Sequence, residues 1–224
     1  MNRVLLTTLL SLSTAAGPKA PHVKGIESSG YKWNTQEAEL VVALKKKGDL
    51  RRGADSFEVC TACHLHQAEG TADGTYPRLA GQHAAFLMKQ LADIRVGLRD
   101  NPFMFRFAAT LTDPQELADV SAYVASLPVP RENGRGPGTN LTRGKALYEK
   151  DCGVCHGAAG QGDSAKFFPQ VAGQHYKYML RQVVDTSNGR RRNANPEMVR
   201  SLAAYGPEEL IAVCDYASRL PVGP

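Results

Sequence analysis

Two pentapeptides carry the chemistry this chain offers: Cys60-Thr-Ala-Cys63-His64 and Cys152-Gly-Val-Cys155-His156. Two cysteines three apart can each add a thiol across a haem vinyl group, while the adjacent histidine turns its imidazole to the iron. The short spacing puts both thioethers on one edge of the macrocycle and the histidine on its proximal face. Other chemistries also use Cys-x-x-Cys. Structural zinc modules keep their cysteine pairs closer together, and here each pair is followed at once by a histidine. A thioredoxin-like redox pair expects a βαβ setting, and no alternating strand pattern is found. The expectation is two covalently bound haem c groups, anchored by Cys60, Cys63, Cys152 and Cys155, with His64 and His156 as axial iron ligands.

Each iron then needs a sixth ligand or an open position, and a methionine thioether gives the higher potential that suits electron transfer. Met88 and Met179 lie in the same helix of each half but one position out of register, and read as core side chains. Met104 and Met198 each follow a loop after the middle helix, and each stands seven residues before an equivalent point, Leu111 or Tyr205. They are the favoured axial ligands. His83 and His175 are the rivals, in register 92 residues apart, and would make a lower-potential bis-histidine site. Standing directly before a helix, they read as capping or surface groups. Cys214, the fifth cysteine, matches Ser121 and reads as a small buried packing residue.

The elements that position these residues are themselves repeated. Asp49-Leu-Arg-Arg52-Gly53 returns as Asn140-Leu-Thr-Arg143-Gly144, and Pro77-Arg-Leu-Ala-Gly81-Gln82-His83 as Pro169-Gln-Val-Ala-Gly173-Gln174-His175. Leu117 to Tyr123 returns as Leu210 to Tyr216. Apolar residues at three- and four-residue spacing predict helices over 84–96, 114–126, 176–187 and 207–219, two of them opened by proline. The fold class is therefore all-α, with a first domain over 49–127, a Pro/Gly-rich linker over 128–139 and a second domain over 140–224. Each is small for an independent core, so a porphyrin is expected to fill it.

Before the repeat come a basic start, an apolar run from Val4 to Leu12 and small residues to Ala16, which together read as a signal peptide over 1–16. Residues 17–48 form an N-terminal extension with a short helix. Its Leu40, Val41 and Leu44 stripe is most simply a docking face, and a partner-binding helix is the alternative.

Composition narrows the function. The 224 residues carry 27 basic and 22 acidic side chains, with 42% hydrophobic and 7% aromatic residues. That excludes a disordered or collagen-like chain, and no apolar run reaches the length of a membrane helix. The charge is unevenly placed, net −3 over 49–128 and net +3 over 139–224. Arg190-Arg191-Arg192, in the loop leading to Met198, could frame the second haem or steer an acidic partner, and a solvated loop is the plainer reading. Nothing further supports nucleic acid as a partner.

The matching text resembles the two-haem class I cytochromes c of the cytochrome c4 type over about residues 48–221. It comprises the two Cys-x-x-Cys-His motifs, Pro-x-Leu-Ala-Gly-Gln and its variant, the Gln90 and Gln182 helix, the loop before each methionine and the last helix of each half. The resemblance implies two tandem cytochrome c domains related by a pseudo-twofold axis, with haem propionate edges facing each other and Met104 and Met198 as distal ligands. It also implies that first and last helices cross at Gly53, Phe57 and Tyr123, and at Gly144, Tyr148 and Tyr216. Leu65 stands where glycine is usual, whereas Gly157 keeps it. The expected function is a periplasmic carrier of single electrons between a dehydrogenase or quinol-oxidising complex and a terminal acceptor. Its partners would be redox proteins, with docking to a membrane-bound oxidase or periplasmic dehydrogenase as a variant of that role. The alternatives are a haem-bearing subunit of an enzyme complex, or a haem enzyme such as a peroxidase or sulfur-compound dehydrogenase.

Overall fold

A computed structural model describes residues 20–36 and 38–223 of the chain. The signal peptide expected over 1–16 lies outside the described residues. Among those described, regular structure is helical, with a lone β-bridge between Asp163 and Phe168.

The first half opens with α1 (Ala38–Leu44), which buries Leu40 and Ala43 in the core of that half, with Leu44 packed against it. An ion pair from Arg95 to Glu39, 3.0 Å long, holds the helix from outside. The apolar stripe is thus a docking face, with Ala43 taking the place expected of Val41. Next, α2 (Leu50–Phe57) starts at Asp49, whose carboxylate accepts from the Arg52 N–H at 2.9 Å. A 3₁₀ turn leads into α3 (Thr61–His64), followed by α4 (Ala84–Arg95), α5 (Pro102–Ala108) and α6 (Pro114–Ser126). The second half repeats the order from α2 onward: α7 (Leu141–Leu147), a π turn, α8 (Gly153–His156), α9 (Tyr176–Ser187), α10 (Pro196–Ala203) and α11 (Pro207–Ala217).

In each half the first and last long helices cross where a glycine removes the side chain between them. A Cβ built on Gly53 would fall onto the Asp119 carbonyl of α6, and one on Gly144 onto the Ala212 carbonyl of α11. Tilted aromatic pairs flank both crossings, Phe57–Tyr123 at 5.8 Å and Tyr148–Tyr216 at 5.6 Å between ring centroids. Each half has its own core. Leu87, Met88, Leu117 and Val120 belong to one, and Tyr176, Met179, Val213 and Cys214 to the other. Met88, Met179 and Cys214 pack in these cores, and Met179 and Cys214 also reach the wall of a cavity between the halves.

The two halves meet through contacts that obey a twofold rule. The Gln82 side chain donates to the Gln170 carbonyl and accepts from the Gln170 N–H, both at 2.9 Å. Ninety-two residues on, Gln174 donates to the Arg78 carbonyl at 2.8 Å and accepts from its N–H at 3.0 Å. Residue i touching j and j′ touching i′ at one offset is the mark of an isologous interface, here inside a single chain. The linker is pinned along the second half, with Asn133 donating to the Gln174 and Ser218 carbonyls and the Tyr176 N–H donating to Gly134.

Residues 20–36 form a strap across both halves. The Ile26 N–H donates to the Arg192 carbonyl at 2.9 Å, and the Arg192 guanidinium bonds Glu27, His22, the Val23 carbonyl and, from the first half, the Gly97 carbonyl. Trp33 stacks on Phe168 at 5.6 Å, with the Lys89 ammonium 5.8 Å from its ring.

The crossing makes a direct prediction. Gly53→Ala should destabilise the holoprotein by roughly 1–3 kcal/mol, because a methyl must push two backbones apart. Denaturant unfolding followed by far-UV circular dichroism measures this, and an unchanged midpoint would contradict the close-approach account.

Candidate functional site

Each Cys-x-x-Cys-His sits on a one-turn helix held at an angle by the loop that follows it. The His64 Nδ1 lies 3.2 Å from the Pro77 carbonyl, and the His156 Nδ1 lies 3.0 Å from the Pro169 carbonyl. A carbonyl can only accept, so each Nδ1 carries the proton and each Nε2 keeps a free lone pair. The His64 Nε2 is buried and has no hydrogen-bond partner among the described residues. Burial holds both imidazoles below the usual histidine range, outweighing the proline carbonyl that favours the charged form. A neutral, oriented imidazole with a bare Nε2 is what a metal ion requires.

The thiols tell a consistent story. Burial pushes Cys60 up to about 11 and Cys152 up to about 12, and raises Cys155 as well. Reactive cysteine pairs have depressed values. These thiols are neutral and apolar in character at physiological pH, unlike a thiol–disulfide exchange centre.

All eight expected site residues line one cavity of about 600 Å³ between the halves: Cys60, Cys63, His64 and Met104 from the first, Cys152, Cys155, His156 and Met198 from the second. The methionines are placed by a signal the repeat comparison did not isolate. Asn101-Pro102-Phe103-Met104 and Asn195-Pro196-Glu197-Met198 each begin a short helix in the same way. Asn101 accepts from the Met104 N–H at 3.0 Å, and Asn195 accepts from the Glu197 N–H at 2.9 Å, with proline at the first turn of both helices. Each methionine is the third helical residue after its cap.

His83 and His175 stand at the N-cap positions of α4 and α9, but their side chains make no capping hydrogen bond. The His83 Nε2 donates to the Gln161 carbonyl at 2.8 Å, and the His175 Nε2 donates to Glu69, the residue equivalent to Gln161, also at 2.8 Å. His175 further accepts from the Gly134 N–H at its Nδ1, 3.0 Å away, so both its nitrogens are committed. These histidines stitch the two halves together, which sequence position alone could not reveal.

The arginine run is likewise divided. Arg190 pairs with Asp185 on the surface, and Arg192 anchors the strap. Arg191 is turned inward and, with its twofold equivalent Arg99, lines the cavity. Arg99 donates to Gln90, Gln182 and Tyr178, and Arg191 to Gln182, Gln90 and Asn193. Burial pushes Arg191 down to about 10, and although burial would raise Tyr178, the neighbouring guanidiniums bring it below its usual range. Two cations held by neutral oxygens at one end of a cavity suit the carboxylates of a bound cofactor.

Comparison with known proteins agrees with this geometry. The family model described as cytochrome c matches the chain twice, over residues 50–128 and 141–216. Cytochrome c4 of Pseudomonas aeruginosa is 34% identical over 77% of this chain and 89% of its own length. A thiosulfate dehydrogenase electron acceptor of Stutzerimonas stutzeri is 36% identical over 70% of this chain and 76% of its own. The crystal structure of reduced cytochrome c4 from Pseudomonas stutzeri superposes with a TM-score of 0.67 at 27% identity, covering 77% of this chain and 99% of that one.

One residue beside the first motif is strained. Leu65 adopts φ 65°, ψ 169°, which Gly157 adopts freely in the second half at φ 79°, ψ 155°. That region belongs almost solely to glycine and costs another residue about 1–3 kcal/mol. Leu65 is 38% exposed, so little burial offsets the cost. Leu65→Gly should therefore raise stability by about 1 kcal/mol net of the entropy glycine loses on folding. Chemical denaturation checks this, and a lower midpoint would contradict it.

Proposed function

The chain belongs to the cytochrome c4 family of two-haem class I cytochromes c, and from that membership we propose an exported carrier that takes electrons from an oxidising dehydrogenase and passes them to a second redox protein. It mediates electron transfer and is not an enzyme in its own right. The observation that carries the site assignment is the repeated imidazole, buried in the first half and partly buried in the second. Its Nδ1–H is spent on a proline carbonyl, and its Nε2 is left bare in a cavity that a methionine also lines.

When bound, haem c supplies the one-electron ferrous–ferric couple. Cys60 and Cys63, and Cys152 and Cys155, would anchor the two groups through thioethers. His64 and His156 would bind iron through Nε2, their orientation fixed by Pro77 and Pro169. Met104 and Met198 would supply the sixth ligands. Arg99 and Arg191 would neutralise propionate charge where the halves meet, and the largely apolar cavity walls would limit the access of water to the bound groups. Histidines oriented by a carbonyl need not move between oxidation states, which favours fast electron transfer.

The donor reading rests on the similarity to a thiosulfate dehydrogenase electron acceptor and on the uneven charge, acidic in the first half and basic in the second. Unlike ends suit a carrier that meets different partners at each. The basic start and apolar run over residues 1–16 support export to the periplasm, where haem attachment of this kind is completed.

The ferric near-infrared methionine–iron band tests the ligand assignment. Met104→Ala and Met198→Ala should each remove about half of it, while His83→Ala and His175→Ala leave it in place. A band indifferent to both methionine substitutions would overturn the assignment.

A further inference from the structure

The twofold relation between the halves is broken at one buried position on the cavity wall. Arg78 follows Pro77, the residue that orients His64, and its twofold equivalent is Gln170, which follows Pro169. The backbone bonds are the same at both positions, since each glutamine of the interface pairs with an N–H and a carbonyl and not with the side chain. Only the side chains differ, one cationic and one neutral.

Arg78 is 2% exposed. Its Nη2 donates to the Ala172 carbonyl of the other half at 2.6 Å, and its Nε and Nη1 are buried with no partner among the described residues. Burial alone pushes its value down to about 10, which leaves it charged at neutral pH. A buried cation whose N–H groups are unspent carries a large desolvation cost, tolerated when opposite charge reaches it from a neighbouring site. The neighbouring site is the cavity that Arg78 lines together with His64 and His156.

We propose that Arg78 is a positioning residue for charge and not for structure: a fixed cation between the two halves that holds up the reduction potential of the haem sites. The proposal rests on the two-haem reading above. Reduction brings one electron from the donor protein to an iron and lowers the positive charge in the cavity by one. Arg78 repels the ferric state more than the ferrous state, so its field favours reduction, and in a low-dielectric interior that preference is strong. The field enters from one residue of one half, so it adds to the differences between the two sites.

The test uses the intact holoprotein and a spectroelectrochemical titration. Arg78→Gln installs the side chain that the second half already carries at this position. It should keep two haems and the parental far-UV spectrum, yet lower the potential of at least one site by about tenfold in its reduction equilibrium, ~59 mV for one electron. Arg78→Lys, which keeps the charge, should recover most of that shift. Should Arg78→Gln fail to hold its haems, Arg78→Met against Arg78→Lys makes the same comparison of charge at similar length. Potentials unchanged in the neutral variants would overturn the proposal, as would a lysine variant that falls as far as they do. A parent protein with fewer than two haems would instead overturn the two-haem reading.

Discussion

A histidine that donates its Nδ1 proton to a proline carbonyl has only one direction left in which to bind anything. In this protein that direction leads into a largely apolar cavity, and the same constraint is built twice. It explains why Pro77 and Pro169 stand at a fixed distance from the two motifs, and why the loop between must turn sharply after each histidine. It also explains the neighbouring chemistry. Burial that makes the imidazoles neutral raises the thiols as well. A thiolate redox centre depends on the opposite arrangement, a thiol held below its usual range.

The rest of the architecture keeps those two cavity walls in register. Glycine crossings let the first and last helices of each half touch at the backbone, and tilted aromatics lock the angle. The isologous glutamine bonds, doubled by His83 and His175, then join the halves through main-chain groups. Each of these side chains takes a main-chain group as its partner, so the partner residues can differ in side chain and charge without loss of the bonds. Arg78 facing Gln174, where Gln170 faces Gln82, is one such difference. The strap adds a bond between the halves that lies outside the duplicated unit.

Much of this was legible in the residues because the relevant signals are local. Cys-x-x-Cys-His is a contiguous motif, the helix over 84–96 announces itself by apolar spacing, and that over 114–126 by apolar spacing and a leading proline. What escaped was decided by partners distant in sequence. His175 reads as a cap beside its helix, but its nitrogens are taken by Gly134 and Glu69. The arginine run reads as one patch, yet its three members point to the surface, the cavity and the strap. The Asn-Pro-x-Met caps were readable in principle. A two-residue insertion before Met198 hid them by shifting the register of the loop from the repeat's offset.

The central claim is that four of the five cysteines are thioether anchors and the fifth is core. Intact-mass measurement of the exported protein, combined with thiol titration before and after denaturation, tests it directly. The account predicts the mass of two haems on each chain and a single titratable thiol, Cys214, that reacts only once the fold is lost. Fewer than two haems per chain, or more than one free thiol in the denatured protein, would contradict it.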